Sequence, residues 1–484
     1  MSIADAFDAH DATGLAALVA GGDVSPTELL DEALSRVDAR NPALNAIASL
    51  NEGAARRMIS EGLPDGPFKG VPFLLKDIGA EAVDFPVSSG SALLKGAPCP
   101  GDSRFYEKLR AAGLVTFGRT TSPEFGVGPA TEAAVYGGPT RNPWNTDHTS
   151  GGSSGGAAAV VAGGILPVAH ASDGAGSIRI PAASCGLYGI KPTRGRVSMA
   201  PFAGEGWGGM STAGFVTRTV RDQAALMDLV MGPELGDPYA APPLPMSFSE
   251  AAKTDPGKLR IGILTTTFTG DPIHPECVKA VEDAAALLKD LGHEVFEAPL
   301  PDADTPTAMR ALMDIISCGT ALKLRSVAAA RGREIEQGEV ERIAFASRRH
   351  AETIDGAAYL GAINIVHAYG RALARWMSGM DVLVTTTLSQ PPAEVGRFSH
   401  DRDDFLEFRL GPNGVLEYSP YCAAFNSSGQ PAVSVPLHWT PDGLPVGVHL
   451  AAPYGEDCRL VSLSAQLETA KPWADKRAPL ANFT

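Results

Sequence analysis

The first strong pattern in the chain is helical. Ser25, Pro26 and Glu28 make a capping-box start, and Leu29, Leu30, Ala33, Leu34 and Val37 follow on one face, which predicts an N-terminal helical arm. From about Gly70 the texture changes. Short apolar runs, VPFLL, LVTFG and ILPVA, alternate with loops rich in Gly, Pro and Ser, as expected for strands alternating with helices. LRIGILTTT, beginning at Leu259, predicts another strand; a helix opens at Pro275 with Val278, Val281, Ala285 and Leu288 on one face and stops near Gly292, and HEVFEA follows as a strand. Residues 303–378 are rich in Ala, Arg and Glu at helical spacing and lead into the strand DVLVTTT, while AVSVP and VGVHLAA flank the turn PDGLP as a strand pair. No internal repeat or long charged linker interrupts this order. The pattern predicts a layered α/β core in one large domain with a helix-rich insertion.

Composition narrows the class. The 484 residues are 44% hydrophobic and 20% charged, which excludes a disordered or fibrous chain. A formal net charge of −15 argues against a general nucleic-acid or anionic-membrane surface, since phosphate binding needs clustered Lys and Arg. The start of the chain has neither a basic stretch nor an apolar core, so no secretory signal is expected, and residues 155–171 are too short and broken to span a bilayer. A soluble, cytoplasmic protein is the expectation. Cys99, Cys185, Cys277, Cys318, Cys422 and Cys458 are scattered without CxxC spacing, which fits reduced thiols better than a disulfide framework or a zinc site.

Candidate chemistry lies in two Gly/Ser clusters, at residues 151–156 and 173–179. By composition the first could be a flexible linker, but it runs directly into AAAVVAGG, a small-residue helix between apolar strands. It also fits G-x-S-x-G, yet a nucleophile elbow needs a strand before the serine, and NPWNTDHTS is a polar loop. None of the ten histidines stands in a context that marks it as a base; His170 reads as structural. Without a histidine, an unprotonated lysine is the alternative acceptor of a serine proton. Lys76 ends the apolar run Val71-Pro72-Phe73-Leu74-Leu75, where desolvation favours the neutral amine; a lysine reaching out to water from a strand end fits the same residues equally well.

The motifs GVPFLLKD around Lys76, GGSSGG at 151–156, DGAGSIRIPA at 173–182 and GIKPTRGR at 189–196, with FNSSGQPAVSVP and GLPVGVHL near the C-terminus, together resemble the amidase signature family in order and spacing. The resemblance spans nearly the whole chain. It implies an α/β fold with a mixed central β-sheet flanked by helices on both faces. The single domain 1–484 would divide into an N-terminal helical arm (1–65), a catalytic core (66–225), a helix-rich smaller region (226–405) and a C-terminal return to the core sheet (406–484). It implies Ser177 as nucleophile, Ser153 after a cis peptide as proton bridge, and neutral Lys76 as base. Backbone N–H groups of Gly174, Ala175, Gly176 and Ser177 would form the oxyanion hole, with Ala175 standing where the family more often has Gly. Ser154, Asp173 and Arg179 would support the loop, and Gly126 in SPEFGVG would line the substrate entrance. No metal or organic cofactor is implied, and the partner is a small-molecule amide, carbamate or ester. Oligomeric state is not readable from the sequence.

Within the family, the glutaminase subunits of the tRNA-dependent transamidating complex typically carry Gln where this chain has Ile180, an apolar residue that speaks against recognising a small polar amide. The segment from Ala169 to Ser198 is more similar to hydrolases of the 6-aminohexanoate cyclic dimer, and Cys318 sits where those enzymes place a cysteine near the pocket. The expectation is an amidohydrolase for a small, fairly apolar linear or cyclic amide. An amidotransferase subunit and a catalytically silent binding scaffold are the alternatives.

Overall fold

A computed structural model describes residues 2–482. Its strands are β1 (Ile47–Leu50), β2 (Pro72–Lys76), β3 (Val115–Thr120), β4 (Val168–Asp173), β5 (Tyr188–Lys191), β6 (Thr212–Thr217), β7 (Arg260–Ile263), β8 (Glu294–Glu297), β9 (Val382–Thr386), β10 (Ala432–Trp439) and β11 (Pro445–Ala451). Eight of them form a sheet in the order β4-β6-β5-β10-β11-β9-β7-β8. Neighbours are antiparallel from β4 to β9, and β9-β7-β8 are parallel, so the sheet is mixed.

The sheet is covered on both faces. Successive strand side chains point to opposite sides, and on β9 Val382 and Val384 join one core with Cys277, Ala280 and Val281 of helix Pro275–Asp290. Leu383 between them joins a second core, built by helices Thr305–Arg331, Gly356–Met377 and Cys422–Ser428. Every residue of β9 and β11, central strands covered on both faces, is buried, the polar Thr385, Thr386 and His449 included. The helix-rich middle of the chain is therefore not a free-standing unit, since it supplies β7, β8 and β9 to the main sheet.

Local signals act as expected at the helix ends. Ser25 and Glu28 form a reciprocal capping box at the start of helix Pro26–Leu44. Pro275 opens its helix behind an N-cap at His274, and Gly292, just past the end, has φ 94°. Three strands fall outside the expectation of one sheet. β2 and β3 pair in parallel in a small separate sheet, and β3 pairs antiparallel with β1, which interrupts the N-terminal helical arm. β1 is four residues long and partly exposed, too short to register as alternation.

The helix Gly155–Ala162 explains its own composition. All eight of its residues are buried, and a helix enclosed on every side must be apolar all round, with small side chains to let its neighbours approach. It fixes the loop before it deep in the protein. Among the described residues, no helix is long and apolar enough to cross a membrane.

Candidate active site

Lys76 is the last residue of β2, a strand buried at every position. Its main chain is held from both sides: its N–H donates to His170 Nδ1 at 3.0 Å, and its carbonyl accepts from Arg119 Nη1 at 2.6 Å. The side chain, fully enclosed, ends 2.8 Å from Ser153 Oγ and 3.0 Å from Ser172 Oγ. Among the described residues, no carboxylate hydrogen bonds to it. Burial lowers the amine's pKa to about 7, with the charge of Asp173 opposing in part. The snorkelling alternative is thereby excluded.

Ser153 follows a cis peptide bond from Gly152. Thr131 ties the loop at both ends, its Oγ1 donating to Gly151 O at 2.9 Å and accepting from Gly155 N at 3.2 Å. Gly152 is required by close approach: a Cβ there would lie 2.6 Å from Ala130 N and 2.7 Å from Gly128 O. Ser154 joins this loop to β4, its Oγ donating to Ser172 O at 3.2 Å and accepting from Ser172 N at 3.3 Å.

Asp173, the end of β4, organises the second cluster. Its carboxylate accepts from Gly176 N at 2.7 Å and Ile178 N at 3.2 Å, and pairs with Arg179 through Nε at 2.9 Å and Nη2 at 3.0 Å. Burial by itself would raise its pKa, but the charge and hydrogen bonds of Arg179 and the amide of Asn426 hold it well below the usual carboxylate range. Arg179 is satisfied in turn by Cys422 O at 3.0 Å, Asn426 Oδ1 at 2.6 Å and His449 Nε2 at 3.1 Å. The Gly176 N–H, expected among the oxyanion donors, is thus directed at Asp173. Gly176, at φ 125°, shapes the turn instead.

Ser177 is half-buried on the wall of a narrow cavity with Gly126, Gly128, Ala175, Ile180, Trp207, Met313, Ile316, Arg409, Leu416 and Ser419. Gly126 connects this cavity to Ser153: a Cβ on Gly126 would lie 3.4 Å from Ser153 Oγ. Lys76 and Ser153 are therefore hydrogen-bonded to each other, whereas the Ser177 hydroxyl bonds to no protein group among the described residues. Cys318 sits half-buried on helix Thr305–Arg331, but that helix meets the cavity through Met313 and Ile316 instead. Roomier cavities lie elsewhere, one of about 610 Å³ beside Glu124 and His400 and one of about 890 Å³ beside Phe268 and His274; neither contains any of the three expected catalytic residues.

Several contributors escaped the sequence reading. Ser172 shares the lysine amine, Arg119 holds its carbonyl, and Asn426 and His449 complete the Arg179 network. Asn426 stands inside the motif FNSSGQ and His449 inside GLPVGVHL, so the motifs marked their segments without their roles; Ser172 and Arg119 carry no local signal. His170 is structural as expected, its ring 4.9 Å from that of Phe105.

Comparison with known proteins gives the family. The Amidase family model matches residues 28–461, and the chain belongs to that family of hydrolases. The 6-aminohexanoate-cyclic-dimer hydrolase of Paenarthrobacter ureafaciens is 37% identical over 481 residues, covering 98% of this chain and 97% of that protein. The acylamidase of Rhodococcus erythropolis is 33% identical over 96% of both chains. A solved 6-aminohexanoate cyclic dimer hydrolase superimposes with a TM-score of 0.91 at 36% identity, over 98% of this chain and 99% of that one.

Proposed function

We propose that this chain hydrolyses the C–N bond of a small, largely apolar linear or cyclic amide through an acyl-enzyme on Ser177, with carbamate and ester cleavage as side activities. The observation that carries this reading is the buried amine of Lys76, lowered to about 7 and 2.8 Å from the hydroxyl of Ser153. A neutral amine accepts a proton, so the Lys76–Ser153 contact runs from hydroxyl to amine at the moment of reaction. Ser153 then takes the proton of Ser177 as substrate closes the gap, since catalytic hydrogen bonds of a free enzyme tighten on binding. Ser177 Oγ attacks the carbonyl, and the proton returns through Ser153 to the leaving nitrogen. Water cleaves the acyl-enzyme by the same relay.

The oxyanion is held by the N–H groups of Gly174, Ala175 and Ser177, each worth about 3 kcal/mol in the transition state. Asp173, Arg179 and Ser154 keep the two loops in register, Gly126 lines the entrance, and no metal or cofactor takes part. Ile180, 3% exposed on the cavity wall, favours an apolar amide over glutamine and so favours this reading over an amidotransferase subunit. The free cysteines suit a reducing cytoplasm. Purified protein assayed on anilides, cyclic amides, carbamates and esters, with mass spectrometry of the trapped adduct, tests the reading. Turnover with an acyl group on Ser177 is expected, and Ser177→Ala should lose at least about 10³-fold in kcat/KM. Unimpaired amide cleavage by that variant would end the proposal.

A further inference from the structure

The cavity around Ser177 contains two polar groups that the hydrolytic relay does not use. Arg409, on the short helix Phe405–Leu410, lines it and is 5% exposed. Among the described residues its guanidinium has no hydrogen bond and no ion pair, and its Nε is buried without a partner. What surrounds it is aromatic: the rings of Phe405 and Phe408 lie 5.8 Å and 5.6 Å from its Cζ. Burial lowers its pKa to about 10, so it stays cationic at neutral pH. Ser419, 2% exposed on the same wall, has a hydroxyl with no oxygen or nitrogen partner among the described residues, only the Cys422 thiol beside it.

Arg179 shows what a buried arginine in this fold looks like when its partners are internal, with acceptors from Asp173, Asn426, Cys422 and His449. Arg409 has none of these. A buried, unpaired guanidinium is costly, and it persists where a ligand brings the missing acceptors. Its planar fork matches a carboxylate with two parallel hydrogen bonds, and a hydroxyl alongside adds a third donor. The rest of the wall, Ile180, Trp207, Met313, Ile316 and Leu416, is apolar.

We propose that Arg409 and Ser419 form a carboxylate subsite within the catalytic cavity, and that the preferred substrate is an amide with an apolar chain ending in a carboxylate. This deepens the reading of Ser177 as nucleophile and rests on it for the position of the scissile bond. The test compares monoamides of straight-chain dicarboxylic acids with four to eight carbons against neutral alkanamides of equal length. Wild-type protein should favour the carboxylated series at least about tenfold in kcat/KM at one chain length, chiefly through KM. Arg409→Met should bring the ratio between the two series close to one, Arg409→Lys should retain part of it, and Ser419→Ala should reduce it less.

A binding measurement separates the two claims. Ser177→Ala should bind adipamate by calorimetry, and the added Arg409→Met should abolish that binding. Absence of Ser177-dependent turnover on every amide would overturn the hydrolase reading, while Arg409-dependent adipamate binding would still sustain the subsite. Equal use of both series by the wild type, a preference that survives Arg409→Met, or adipamate binding indifferent to Arg409 would overturn the subsite. Should Arg409→Met fail to fold, Arg409→Lys and Ser419→Ala carry the same comparison.

Discussion

Lys76 and Lys191 end strands β2 and β5, are both buried, and both have pKa values lowered to about 7, yet only one of them is placed to act as a base. Burial is the leading cause in each case. The Lys191 amine donates to the carbonyl of its own neighbour, Pro192, at 2.7 Å. A carbonyl has no proton to give, so an uncharged amine there has nothing to relay. Lys76 faces two hydroxyls, each able to give and accept a proton. Desolvation creates the neutral amine; what it touches decides whether neutrality has a use.

The sharpest way to break this comparison is to remove each amine in turn. Lys76→Ala should lose at least about 10³-fold in kcat/KM on an amide, while Lys191→Met should keep activity within a few-fold, as read in steady-state assays of variants with matched circular dichroism. Comparable losses from both would mean that the shared pKa shift, and not the hydroxyl contact, carries the chemistry. A smaller effect is expected one shell out: Asp173→Asn leaves Arg179 buried without its counter-charge, which should cost about 3–5 kcal/mol in urea unfolding and misplace the Gly176 turn. Stability unchanged by this substitution would show that Asn426 and His449 hold the loop unaided.

The gentlest probe is pH. With the uncharged form of Lys76 as the proposed base, kcat/KM should rise about tenfold per unit below pH 7 and level off above it. A flat profile in that range would contradict a lysine base. Folding stability should follow a linked course. Each lysine refuses a proton that the unfolded chain accepts up to its ordinary pKa, so the stabilisation is complete above about pH 10.4 and is lost as pH falls to about 7. Lys191→Met should remove part of that slope, at most about 1.4 kcal/mol per pH unit, without altering the activity profile.

Most of the candidate site was legible as segments because the motifs are contiguous in sequence. Lys76, Ser153 and the Asp173–Arg179 stretch each sit in a run whose glycines and apolar flanks mark it. The supporting groups were not legible, for a topological reason. Asn426, His449 and Arg409 arrive from the last 80 residues, across a sheet whose order interleaves early and late strands, so the groups they face lie far away in the sequence. The Gly176 donor was misjudged because composition cannot show which amide of a tight turn points inward to a carboxylate. Cys318 was placed by resemblance to the 6-aminohexanoate cyclic-dimer hydrolases; its helix lines the cavity through Met313 and Ile316, and one position around a helix turns a side chain by about 100°. β2 and β3 were anticipated as VPFLL and LVTFG, but their partner β1 was missed because four partly exposed residues do not announce a strand.

Hanging the β2 terminus on the ring of His170 has a consequence for acid tolerance. Accepting at Nδ1 obliges the imidazole to carry its hydrogen at Nε2 and to remain uncharged, and its pKa lies well below the ordinary histidine range, first through burial and then through the nearby Lys76 and Arg119. A proton forced onto that ring at low pH would expel the peptide N–H it receives and release the strand end that presents the amine. Acid therefore threatens the architecture beneath the Lys76 amine as well as the amine itself.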